Sequence, residues 1–211
     1  MKKIIIAALL TLNGFIYLVA CNKDNDPANP VATDSTLTAF EKESLAFMRE
    51  EEKLAYDVYT MMYSQWGLIQ FNNISRSESN HMNAVKTLLD RYGLADPAGG
   101  NAAGVFTNSR LQELFNQLIE EGNRSSTSSL MAGAAIEEID IRDLKEQLQQ
   151  TRHSAIILVY ENLMRGSRNH LRAFVGTLKA AGVNYTPQYL TQQEFDAIIN
   201  SDMETGGRRS Q

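Results

Sequence analysis

Glu78-Ser-Asn-His81 sets a carboxylate and an imidazole three residues apart, one turn along the same face if the segment is helical. Such a pair can offer one oxygen and one nitrogen donor to a metal ion, or act as a hydrogen-bonded acid and base. Alone it says little, because exposed helices carry the pattern by chance. Its weight comes from three other segments of helical period, each with an acid or a histidine centred on its apolar face. At about 100° per residue, the face of the first segment is Leu45, Met48, Ala55, Tyr56, Tyr59, Tyr63 and Trp66, with Glu52 in its middle. Glu50, Glu51 and Lys53 project off that face. In the second segment, Ile74, Val85, Leu88 and Tyr92 surround Glu78 and His81. In the third, Leu130, Gly133, Ala134, Ile141, Leu144 and Leu148 surround Glu137, with Asp140 beside it and Glu138 roughly a quarter-turn away. In the fourth, Ile156, Val159, Leu163, Ala173, Phe174 and Thr177 surround His170, with Gly166 and Ser167 alongside.

A buried, unpaired carboxylate is costly, and no Lys or Arg stands on these faces to neutralise the acids. A metal ion would do so, since bundles build such sites from oxygen and nitrogen donors on facing helices. The alternative is a hydrogen-bonded layer, with some carboxyls protonated, that fixes helix register. The chain carries no haem motif, phosphate loop, Cys-x-x-Cys or nucleophile triad, so no catalytic residue is assigned.

The elements that must position these residues are helices. Sustained alternation is absent and β-branched clusters are short. The periodicity predicts long helices over 37–65, 75–92, 130–149 and 154–181, with Gly93 and Gly182 as stops and Pro97 beyond the second. A loop at 96–107, a short amphipathic helix at 109–121 and a Ser/Thr-rich loop at 122–129 join the second long helix to the third. Thr191-Gln-Gln-Glu194 is a capping box opening a short helix to about residue 200. The expected fold is an all-α, up-down four-helix bundle at 37–203, with one long crossover carrying a short helix and a frayed tail at 204–211.

This arrangement resembles the ferritin-like superfamily of di-metal carboxylate proteins, in which two helices each give a Glu and the other two each give Glu-x-x-His. Glu52, with Ala55 and Tyr59 at rubrerythrin-like offsets, matches the first ligand. Glu78 and His81 match the second-helix motif, Glu137 the third-helix ligand and His170 the fourth-helix histidine. Met48-Arg-Glu-Glu-Glu-Lys-Leu-Ala55, Ala135-Ile-Glu-Glu-Ile-Asp140 and Arg165-Gly-Ser-Arg-Asn-His-Leu-Arg-Ala-Phe174 resemble more closely a bacterial and archaeal family filed as domain of unknown function 2202, over about 45–203. That family supplies no established reaction. The superfamily implies two metal ions, iron first and manganese second, and ferroxidase or oxidant-handling chemistry. In di-metal proteins tyrosines placed as Tyr56 and Tyr59 can bond to ligands or carry electrons, but core packing is the favoured role for either; Gly166 and Ser167 leave space beside His170, either a pocket for dioxygen or peroxide or room for close helix packing.

The chain departs from the superfamily at Ser167, three residues before His170, where a Glu is expected. Glu161 projects to the opposite face with Arg165, Arg168 and Arg172, and its spacing to Arg165 suits a surface pair. Asp140, one turn from Glu137, is the better substitute. With Glu52, Glu78 and Glu137 it gives four negative charges, which balance two divalent cations; without it the site stays one charge short unless hydroxide bridges, and a single-metal site becomes the alternative. His153, opening the fourth long helix, is expected to be exposed near a cap.

Lys2 and Lys3 precede an apolar run to Ala20, the pattern of a secretory signal peptide or, near the lower length limit, of an uncleaved anchor. Leu18-Val19-Ala20-Cys21 resembles the lipobox of bacterial lipoproteins and contains the chain's one cysteine, which would carry the lipid. A polar tether at 22–36 would join it to the bundle at the cell envelope. The whole chain of 211 residues has 20 basic and 25 acidic side chains, which argues against nucleic acid as a partner. With 43% hydrophobic residues, wholesale disorder is excluded. The expected partners are metal ions, the membrane through the lipid and an unnamed redox partner; a homodimer is compatible with the pattern.

Overall fold

The computed structural model describes residues 36–206, and all regular structure among them is helical. The expectations for the leader, Cys21, the tether up to residue 35 and the tail from 207 lie outside the described residues. Among the described residues no helix is long and apolar enough to cross a membrane.

Helix α1 (Ala39–Trp66) opens with a capping box in which Thr38 accepts from the Glu41 amide and Glu41 accepts from the Thr38 amide. It ends at Gly67, whose φ of 67° only glycine adopts cheaply. Two residues later α2 (Ile69–Arg91) begins, well before the expected 75. The segment Ile69–Ile74 continues the apolar stripe, and Phe71 and Ile74 bury against the core. Helix α3 (Ser109–Gly122) rides on the crossover. Helix α4 (Ser126–Gln150) also starts early, because Ser125 accepts from the Ser128 amide at 3.0 Å and caps what composition suggests is loop. Helix α5 (Ser154–Ala180) and α6 (Gln192–Ile199) fall where expected, α6 behind its Thr191–Glu194 capping box.

Cross-helix bonds fix the topology. Glu41 of α1 meets the start of α5, and Tyr59 meets Gly133 and Glu137, so α1 runs antiparallel to α4. Phe71 packs on Phe174, and His81 lies against Gly166, so α2 runs antiparallel to α5. The two hairpins α1–α2 and α4–α5 therefore pair with every neighbour antiparallel, and the crossover returns the chain along the bundle so that α4 parallels α2.

The core divides into two apolar clusters with the Glu and His layer between them. On one side lie Leu45, Met48, Val85, Leu88, Leu144, Ile156, Tyr160 and Leu163. On the other lie Val58, Tyr59, Met62, Phe71, Leu130, Phe174 and Leu178. Tyr63, expected on the core face, is exposed, and Trp66 is half-buried.

The outer side of α1 is buried too, contrary to the projection that set Glu50, Glu51 and Lys53 outside. The crossover covers it with polar ties. Arg49 donates to Asp96 (3.1 Å), and Lys53 pairs with Asp57 (2.5 Å) while also donating to the Ala102 carbonyl. Glu50 accepts from the Thr107 and Asn108 amides at the head of α3. Glu138 on α4 accepts from three successive amides, Gln188, Tyr189 and Leu190, and so anchors the approach to α6. His153, expected exposed, is buried as the N-cap of α5, its ring edge-on to Tyr92. Glu204, expected to lie in a frayed tail, pairs with both Arg168 and Arg172.

Candidate metal centre

Each long helix delivers its central polar residue to one place. Nδ1 of His81 lies 2.7 Å from Oε2 of Glu78 and 3.2 Å from Oε2 of Glu52. Nδ1 of His170 lies 2.8 Å from Oε1 of the same Glu78 and 3.5 Å from Oε2 of Glu137. The two oxygens of Glu78 thus face one histidine each, and the imidazoles stack at 5.6 Å. Two groups with ligand atoms within 4.8 Å result, Glu52–Glu78–His81 and Glu78–Glu137–His170. Tyr59 donates to Oε1 of Glu137 at 2.5 Å and holds that carboxylate in place.

The residues fit a metal. Oε1 of Glu52 is buried without a hydrogen-bond partner, an atom that protein interiors rarely leave unsatisfied. The donors are carboxylate oxygen and imidazole nitrogen, both metal-ligating types. In the metal-free chain, protons carry the balance. Burial, with Asp140 nearby, pushes the Glu52 pKa well above the usual carboxylate range. Burial would depress the His81 pKa, but Glu52 and Glu78 hold it at about 12. His170 is likewise held at about 10 by Glu78 and Glu137 against the effect of burial. For Glu78, the two histidines overcome burial and lower the pKa far below normal. A metal entering here must therefore displace protons.

Asp140 is buried beside this centre but joins neither group. Its Oδ2 accepts the Ser167 hydroxyl, and burial together with Glu137 raises its pKa to about 7. Ser167 thus reaches across from α5 to the acid on α4. Glu161 is exposed, and Arg165 donates to Asn162. Tyr56 is half-buried and lies in neither group. The space at Gly166 is filled rather than open: a Cβ there would sit 2.6 Å from Cε1 and 2.7 Å from Nε2 of His81. Gly166 is where the His81 ring packs onto α5.

Helical projection missed three polar residues of this region. Glu51 is 4% exposed with both carboxylate oxygens unpartnered, and Asp143 and Glu138 are buried on α4. Glu51 and Asp143 sit off the stripe that points at the bundle axis, so only the arrangement of α1 against α4 reveals them.

The chain is 47% identical over 183 residues to "Uncharacterized protein MJ0754" of Methanocaldococcus jannaschii, covering 87% of this chain and 96% of that protein. The crystal structure of hypothetical protein MJ0754 from Methanococcus jannaschii superposes with a TM-score of 0.78 at 46% identity, over 86% of this chain and 100% of the other. A family model described as "Uncharacterized protein domain (DUF2202)" matches residues 41–202, and the chain belongs to that family.

Proposed function

We propose that this protein is a ferritin-like di-metal carboxylate protein of the cell envelope, tethered through lipid on Cys21, with iron or manganese between its helices. The observation that carries the reading is Glu78, one buried carboxylate shared by two groups that each contain a histidine and a second glutamate. Iron held there would supply redox chemistry toward dioxygen or peroxide. The chain's own residues do the rest. Glu52 and Glu137 neutralise charge at the two ends, His81 and His170 give one nitrogen to each group, and Tyr59 fixes the Glu137 carboxylate. The apolar clusters on both sides keep water from the layer.

A second reading, metal binding without efficient turnover, is favoured by Ser167. It stands where the superfamily has a ligand, and its partner Asp140 lies outside both groups.

Elemental analysis of protein purified without chelator or affinity-tag histidines tests the proposal, beside a Glu52→Ala, His81→Ala double variant. Two ions per chain in the parent and fewer in the variant support it, and oxidation of added ferrous iron then separates the two readings. No ion after reconstitution with ferrous iron or manganese overturns both and leaves a structural polar layer.

A further inference from the structure

The side chains of Glu52, Glu78 and Glu137 are 1–2% exposed, against 13% for His81 and 11% for His170. Solvent therefore reaches the centre at its imidazoles, which stand on α2 and α5. Helix α3 spans α1 and α4, but among the described residues no helix spans α2 and α5. The walls of this seam are low. Ser77 and Ala84 stand one turn either side of His81, and Asn162 and Asn169 one turn either side of Gly166. None of these is larger than asparagine, and none is buried. Asn169 is pinned to the chain beyond α6, donating to the Glu204 carbonyl and accepting from the Glu204 N–H, both at 2.9 Å. Between the walls, His81 turns Cε1 and Nε2 to Gly166 and Nδ1 to Glu52 and Glu78. One ring thus reaches from the seam to the carboxylates, and it can do so because Gly166 has no side chain.

We propose that the α2–α5 seam at Gly166 is the mouth of the centre, through which a hydrated divalent cation enters and meets His81 before the glutamates. The proposal rests on the metal reading above and adds the route to it. The buried carboxylates draw a cation inward, and the seam is the side on which the exposed edge of a ligand stands between small side chains. The rival account is entry by transient opening of the bundle elsewhere, to which the walls of this seam are irrelevant.

A removable plug distinguishes the two. Asn162→Cys puts a thiol on the exposed rim of the seam, and a bulky methanethiosulfonate reagent caps it on the folded, full-length, metal-free chain. Parent protein treated alike controls for Cys21. The probe is Mn²⁺, its uptake timed by loss of the free-ion electron paramagnetic resonance signal and its final count read by elemental analysis. The cap should slow uptake about tenfold or more, as for any association that must wait for an obstructed path to open, while the final count stays at the parent's. Dithiothreitol, which releases the cap, should restore the rate. Ser77→Cys reads the opposite wall in the same way should Asn162→Cys fail to fold. An uptake rate unchanged by the cap, or one that stays slow after the cap is released, overturns the mouth while leaving the ion count intact. No ion in the parent instead overturns the Glu78 centre and the mouth with it, so the two failures are distinguishable.

Discussion

Glu78 is the one residue common to both histidine-bearing groups, and this makes the pattern of ion loss predictable. Glu78→Gln should remove both ions, whereas Glu52→Gln and Glu137→Gln should each remove one, since each belongs to a single group. An ion at a hundred times its dissociation constant stabilises the fold by about 2.7 kcal/mol. Two ions then contribute about 5 kcal/mol, which in a domain of this size raises the melting temperature by roughly 10–20 °C. The assay is calorimetry with Mn²⁺ and with chelator, the difference being taken within each variant so that the cost of the substitution itself cancels. The parent should show the full difference, Glu52→Gln and Glu137→Gln about half, and Glu78→Gln almost none. The shared-carboxylate reasoning fails if Glu78→Gln retains half the shift, or if either single-group variant abolishes all of it.

Gly166→Ala should cost one ion while leaving the helix intact, because its Cβ would collide with the His81 ring at 2.6 Å but favours α5 by roughly 0.5–1 kcal/mol; a full ion count would refute this. Glu138→Ala strands three backbone amides and should destabilise the fold by about 3–5 kcal/mol in urea titration, and a loss below about 1 kcal/mol would show that water replaces the carboxylate. Glu41 has its pKa lowered to about 2: burial acts to raise it, but the amides of Thr38, Arg152 and His153 prevail. Its contribution is therefore fully present above pH 4.5 and lost as pH falls toward 2, so the stability gap between the parent and Glu41→Gln should close across that window. A gap independent of pH would rule this out.

The inward faces of the helices were legible because burial on one side imposes a 3.6-residue period, and Glu52, Glu78, His81, Glu137 and His170 interrupt it in register. Both capping features at Thr191 and the glycine stops were legible for the same local reason. Ile69–Ile74 and Ser126–Ser129 were not, since Asn and Ser have weak helix propensity and only packing or a cap decides them. The polar ties of Arg49, Glu50, Lys53 and Glu138 were illegible in principle. Glu50 and Glu138 answer to loop amides and Lys53 in part to a loop carbonyl, which carry no side-chain signature, while Arg49 answers to Asp96 far along the chain, and a projection onto one core assigns such residues to solvent. Glu51 was missed because it answers to α4 alone rather than to the bundle axis.

The division of the centre between hairpins has a consequence for biogenesis. Glu52, Glu78 and His81 all lie on α1–α2, so their group is complete once that hairpin has folded. Glu137 and His170 arrive with α4–α5 and need Glu78 from the earlier hairpin to close theirs. An ion captured early would pin the nascent hairpin, and a second would rivet the later hairpin onto it. Should ions occupy the proposed centre, the order in which the hairpins fold would set the order of loading.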